Sequence, residues 1–98
     1  MLSLHVLREV QSNVTAVLFK KESYMFEGIL RWLMDRGFVC ENFEETESCY
    51  VFKQPSGEKF RSYSYHLVDG RDIAVELGED KEGDIKRPGN YPDINTLL

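Results

Sequence analysis

The chain has 98 residues, 42% of them hydrophobic, and a formal net charge of −5. That length suits one domain and is too short for two, and the acidic balance opposes non-specific binding to nucleic-acid backbones. No apolar run approaches the ~20 residues of a membrane span, and Met1-Leu2-Ser3-Leu4-His5 lacks the basic region and long apolar stretch of a signal peptide, so the expected location is cytoplasmic.

Leu2-Ser3-Leu4-His5-Val6 alternates, as does Val14-Thr15-Ala16-Val17-Leu18-Phe19, with turn-forming Gln11-Ser12-Asn13 between them. The pattern predicts two strands paired as a hairpin. The alternative is one helix through Leu4, Leu7, Gln11, Val14 and Leu18. The β-branched residues of the second segment favour strands. Phe26, Ile29, Leu30, Leu33 and Met34 then recur at i, i+3, i+4, i+7 and i+8, which predicts an amphipathic helix over Ser23–Gly37. Ser23 suits the N-cap, where its hydroxyl accepts from an early unpaired N–H. Gly37 suits the position just past the last turn, where a left-handed residue closes the helix. Glu27, Arg31 and Asp35 follow at i+4 steps on the opposite side, where alternating charges pair.

Phe38–Phe43 and Ser48–Lys53 are the next predicted strands, joined by the acidic loop Glu44-Glu45-Thr46-Glu47. Pro55-Ser56-Gly57 is a turn, Lys59–Val68 a longer strand and Asp72–Leu77 the last. Asp69-Gly70 is a two-residue hairpin signal, because both positions tolerate positive φ. The fold class is therefore α+β, one amphipathic helix packed on a mainly antiparallel sheet of about four to six strands. Residues 1–77 form the compact domain. Residues 78–98 form an acidic flexible tail with a docking end, because Ile94, Leu97 and Leu98 have helical spacing after a polar link. That end docks on its own domain or on another molecule.

The two turns set pairings that can be followed outward. Pro-Ser-Gly places Phe52 opposite Phe60 and Tyr50 opposite Ser62. Asp-Gly places His66 opposite Ile73, Ser64 opposite Val75 and Ser62 opposite Leu77. One face then carries Tyr50, Phe52, Phe60, Ile73, Val75 and Leu77, with small Ser62 and Ser64 leaving room for the helix. The other carries Val51, Lys53, Lys59, Arg61, Tyr63, Tyr65, Leu67, Ala74 and Glu76. Tyrosines and an arginine on a solvent face suit partner contact. An N-terminal strand or the tail lying over that face is the competing reading.

Little in the sequence points to chemistry. His5 and His66 lack a Cys, Asp or His partner at metal-ligand spacing, and no Gly-rich phosphate loop is present, so neither a metal nor a cofactor is expected. His66 falls at the edge of the core. Cys40 and Cys49 are too few for a disulfide framework, and two reduced thiols are the expectation. Glu41, Glu44, Glu45 and Glu47 lack the central glycine of a calcium loop and read as a solvated run. Lys53, Lys59 and Arg61 interleave with Phe52, Phe60 and Tyr63 as a small basic-aromatic spot of the kind single-stranded nucleic acid uses.

The helix, the strand beginning at Gly37-Phe38 and the Gln54-Pro55-Ser56-Gly57 turn resemble, over residues 24–68, small messenger-RNA-cleaving toxins with a double-stranded-RNA-binding-like fold. Those toxins carry a histidine near the start of their second strand, where this chain has Thr46-Glu47-Ser48-Cys49.

The functional expectation is a non-enzymatic protein-interaction module, with an inhibitor of the phage anti-defence or toxin-immunity kind as one concrete version. Its binding residues would be Arg61, Tyr63, Tyr65, Leu67 and Val51, with Glu44, Glu45 and Glu47, and its partner a macromolecule, a protein rather than a nucleic acid or a membrane. The alternative is an RNA-binding or RNA-cleaving small α+β protein of the toxin–antitoxin type.

Overall fold

The computed structural model describes residues 3–55, 60, 62–68, 72–79 and 91–97. The chain runs through helix α1 (Leu4–Glu9), a 3-10 turn at Gln11–Asn13, strand β1 (Val14–Lys20), helix α2 (Phe26–Asp35), strands β2 (Phe43–Glu45), β3 (Cys49–Lys53), β4 (Ser62–Leu67) and β5 (Ile73–Glu79), and a second 3-10 turn at Ile94–Leu97. The strands form one antiparallel sheet in the order β2-β3-β1-β5-β4. The α+β expectation holds, with α2 packed on the sheet.

The N-terminal strand does not form. Leu2–Val6 was expected to alternate across a sheet, but Leu4–Glu9 is helical. Ser3 starts it, its hydroxyl accepting from the Val6 N–H at 3.2 Å, and only Leu7 turns fully into the core. A single apolar anchor per turn satisfies either period, and the cap decides between them.

Without that hairpin partner, β1 becomes the central strand. Ala16, Val17, Leu18 and Phe19 are all fully buried. Val17 and Phe19 join Ile29, Leu33, Phe38, Phe52, Ile73 and Val75 beneath α2, while Ala16 and Leu18 lie on the opposite face with Cys49, Val51, Ala74 and Ile94. A strand covered on both faces reads as a continuous apolar run, which β1 does.

Two expected registers change. The β3–β4 hairpin, with Phe52 opposite Phe60 and Tyr50 opposite Ser62, is replaced by β3–β1 pairing, with Phe52 opposite Val17 and Tyr50 opposite Phe19. β4 lies at the far edge, with β1 and β5 between it and β3. The turn residues 56–59 lie outside the described residues. In the second hairpin His66 pairs with Val75 and Ser64 with Leu77, two residues away from the register that a two-residue Asp69-Gly70 turn imposes. The Val68 N–H donates to the Ile73 carbonyl at 2.8 Å, so four positions separate the paired residues. Asp69 and Gly70 lie outside the described residues. A shift of two keeps every β4 side chain on its expected face, because the pleat repeats every second residue.

Helix α2 starts later than expected. Met25 is its N-cap, and the Ser23 N–H instead closes a turn onto the Lys20 carbonyl at 3.1 Å. Its end is as expected. Gly37 has φ +79°, its N–H donates to the Met34 carbonyl at 3.1 Å, and the Phe38 N–H donates to the Leu33 carbonyl at 2.9 Å. These two bonds make a Schellman cap, with Leu33 and Phe38 buried together as its apolar contact. The Gln11 side-chain amide donates to the Arg36 carbonyl at 2.8 Å and satisfies a further open acceptor.

The expected Phe38–Phe43 strand is short. Only Phe43–Glu45 pairs with β3. Ahead of it, the Gln54 amide imitates a strand partner: its Oε1 accepts from the Val39 N–H at 2.9 Å and its Nε2 donates to the Val39 carbonyl at 3.0 Å. Cys40 packs beneath α2 and Cys49 on the opposite face, so the sheet separates the two free thiols.

Candidate functional site

The two sheet faces are not equally available. On the face away from α2, Ile94 is 1% exposed and sits against Ala16, Leu18, Cys49, Val51 and Ala74, with Tyr91, Leu97 and Leu67 packed around it. The chain's own C-terminal turn therefore occupies the middle of the expected contact face. Asp93 starts that turn: its carboxylate accepts from the Asn95 N–H at 2.9 Å. That bond, with the Ser48 hydroxyl and the Lys20 charge, holds its pKa below the usual carboxylate value against an opposing desolvation.

Val51 is fully buried and offers no surface. Leu67 packs against the C-terminal turn. Tyr65 is half-buried, and its hydroxyl donates to Glu76 Oε2 at 2.6 Å. Glu76 is wholly buried, and the Thr15 hydroxyl lies 2.7 Å from its Oε1 and 3.1 Å from its carbonyl oxygen. The cluster sits beside the irregularity in the β1–β5 register between Val14 and Ala16. A buried carboxylate needs every donor within reach, so Tyr65 has a structural task. Tyr65→Phe is expected to lower stability by about 1–3 kcal/mol in urea titration. A loss below about 0.5 kcal/mol would mean that Glu76 gains equivalent donors from elsewhere.

Tyr63 is half-buried, with the Phe60 ring 6.5 Å away in an edge-on contact. Phe60 departs from its expected core face. A Cβ built on Gly78 would stand 2.1 Å from the Phe60 ring, and Gly78 points to the same side as Glu76, away from α2. Gly78 is the position at which the absence of a side chain admits a ring. Arg61 and Lys59 lie outside the described residues. The basic-aromatic spot is dispersed in the part that is described: Phe52 is buried, Phe60 is on the other face and Lys53 Nζ lies 3.2 Å from Glu44 Oε1.

On the α2 side of the sheet, at the β4 edge, Ser64 Oγ lies 2.8 Å from both His66 Nε2 and Glu79 Oε1. A carboxylate only accepts, so the serine proton goes to Glu79, and the Nε2–H of His66 donates to the serine. A nucleophilic serine needs its proton directed to the imidazole, and here the acid holds the serine instead. His66 is a satisfied histidine at the core edge. Among the described residues no group of three or more metal-ligating side chains converges, and no helix is long and apolar enough to cross a membrane.

The opposite edge of the sheet is different. Phe26 and Phe43 remain 39% and 46% exposed with their ring centroids 5.4 Å apart. Behind them stand Tyr50, 5.7 Å from Phe26, and buried Phe52, 5.4 Å from Phe43. Met25 is 80% exposed beside Phe26, and Met34 is 69% exposed two helical turns along. Phe26, Leu30 and Met34 recur every fourth residue and make one line along α2. The segment before β2 runs beside that line, since Cys40 Sγ is 4.0 Å from the Leu30 carbonyl.

Comparison with known proteins returns nothing. No protein-family model, curated protein or solved structure matches the chain.

Glu44, Glu45 and Glu47 are exposed at this same edge. Glu44 and Glu45 belong to β2, where a loop was expected, and their carboxylates meet Lys53 at 3.2 Å and Lys21 at 2.8 Å. The sequence reading sent Phe26 and Met34 to the core with the whole helical stripe. No local signal reveals their exposure, because it follows from where the sheet ends: β2, the edge strand beside them, is only three residues long.

Proposed function

We propose that the protein is a non-enzymatic interaction module that binds a protein partner through the Phe26–Phe43 strip and the acidic edge beside it. The observation that carries this reading is the Phe26–Phe43 pair, half-exposed and in ring contact at a sheet edge that no described strand covers. Scattered single exposed apolar residues need no explanation, but adjoining aromatics with two exposed methionines form the kind of patch used for association. Aromatic and methionine side chains supply large contact area at interfaces, and a charged rim adds orientation. An inhibitor that covers a basic site on its target is one form of such a module, and the acidic rim suits it.

The test compares two double variants for the protein retained from lysate. Phe26→Ser with Phe43→Ser is expected to remain folded, with a lower melting temperature because the two rings also pack on Tyr50 and Phe52, and to lose at least ten-fold in affinity. Tyr63→Ala with Leu67→Ala serves as the control on the face under the C-terminal turn and is expected to retain the partner. If the folded Phe26/Phe43 variant binds as wild type does, the strip is not the site.

A further inference from the structure

We propose that β2 accepts an extended segment of the partner as an added outer strand, with an apolar residue opposite Phe43 and basic residues opposite Glu44 and Glu45. This rests on the interaction reading above and adds how the partner binds and what chemistry it carries. Among the described residues the backbone is open in the right places. Lys53 N–H donates to the Asn42 carbonyl at 2.8 Å and Thr46 N–H to the Cys49 carbonyl at 2.9 Å. Hydrogen-bonded pairs alternate along an antiparallel ladder, so Glu44 also faces β3, while the N–H and C=O groups of Phe43 and Glu45 face outward. Gln54 closes the edge at Val39, which confines the opening to the stretch around β2.

The side chains define the occupant. Phe43 and Glu45 pair across the ladder with Phe52 and Tyr50, residues of the α2 face, while Glu44 pairs with Val51 on the other. An incoming residue opposite Phe43 therefore meets the Phe26–Phe43 rings, and its neighbours meet carboxylates on both faces. Glu41, Glu44, Glu45 and Glu47 are all exposed, against Lys21 and Lys53 as their ion-pair partners, so the edge keeps a negative excess that a basic strand would complement.

The same charges oppose a second copy of this chain. Antiparallel pairing of β2 with itself about Phe43 places Glu45 opposite Glu41 of the other copy. Pairing about Glu44 or Glu45 places that residue opposite itself. Like charges directly across an antiparallel pair are destabilising, and each of these three registers, centred on the residues of β2, contains one.

The experiment uses the full chain, isotope-labelled, with the capped hexapeptide Thr-Lys-Lys-Val-Thr-Lys and a counterpart carrying Glu for Lys. The expected result is binding of the lysine peptide at least ten-fold tighter than the glutamate peptide, with slowed amide hydrogen exchange at Phe43 and Glu45. Glu45→Pro removes an outward N–H without removing a bond to β3, and is expected to lower affinity at least ten-fold in a still-folded protein. Binding that shifts the Phe26 and Phe43 ring signals but leaves both amides unprotected overturns strand addition and spares the interaction strip. Equal binding of the two peptides, or binding of neither, overturns the proposed partner chemistry. A concentration-dependent dimer abolished by Glu45→Pro overturns it in favour of self-association.

Discussion

Phe19→Ala is expected to remove about 3–5 kcal/mol of stability, a large part of the roughly 5–15 kcal/mol available to a domain of this size. Phe19 is fully buried at the middle of the sheet and meets Tyr24, Trp32 and Phe52 edge-on at centroid distances of 5.8, 5.5 and 5.8 Å. Truncation leaves a cavity and removes three aromatic contacts together, each worth about 0.5–1.5 kcal/mol beyond burial. Urea titration measures the loss, and the melting temperature should fall by roughly 4–8 °C per kcal/mol. Met34→Ala, on the exposed side of α2, is the matched control and should stay within about 0.5 kcal/mol of wild type. A Phe19→Ala loss near that of the control would contradict the central placement of β1.

Ile94→Ala is expected to cost about 2–5 kcal/mol, although Ile94 lies beyond the part of the chain expected to be compact. Its side chain fills the space over Ala16, Leu18, Val51 and Ala74, whose small and medium side chains leave a hollow on that face. Deleting residues 91–98 should cost at least as much and should expose an apolar surface that binds a hydrophobic dye. If Ile94→Ala shifts the urea midpoint by less than the equivalent of about 1 kcal/mol, the C-terminal turn is not part of the folded core. The same pair of measurements bears on function. A firmly docked C-terminal turn keeps the Leu67 and Val51 surface covered and leaves the Phe26–Phe43 strip accessible.

Local signals in the sequence determined a good deal. The α2 stripe, the glycine that closes it, the β-branched run of β1 and the period-two faces of β3, β4 and β5 all follow from interactions between residues a few positions apart. Face assignment survived even a register two residues off, because the pleat has a period of two. The reduced state expected of Cys40 and Cys49 agrees with their separation by the sheet.

Only the tertiary structure decided which strands are neighbours. Turn chemistry pairs consecutive strands, so the sequence placed β3 against β4. The free energy is lowered further by putting the strand that is apolar on both faces at the centre, where two layers cover it. That choice moved β4 to the far edge, left β2 short and exposed, and drew the Ile94 turn over the face considered for partner contact, which is the cover by the tail that the competing reading held. The candidate site changed with it. Phe26 and Phe43 are 17 residues apart in sequence, the first part of the helical stripe expected in the core and the second the end of a predicted strand with no face assigned. Their exposure results from where the sheet ends, a property of the whole fold that no local run of residues encodes.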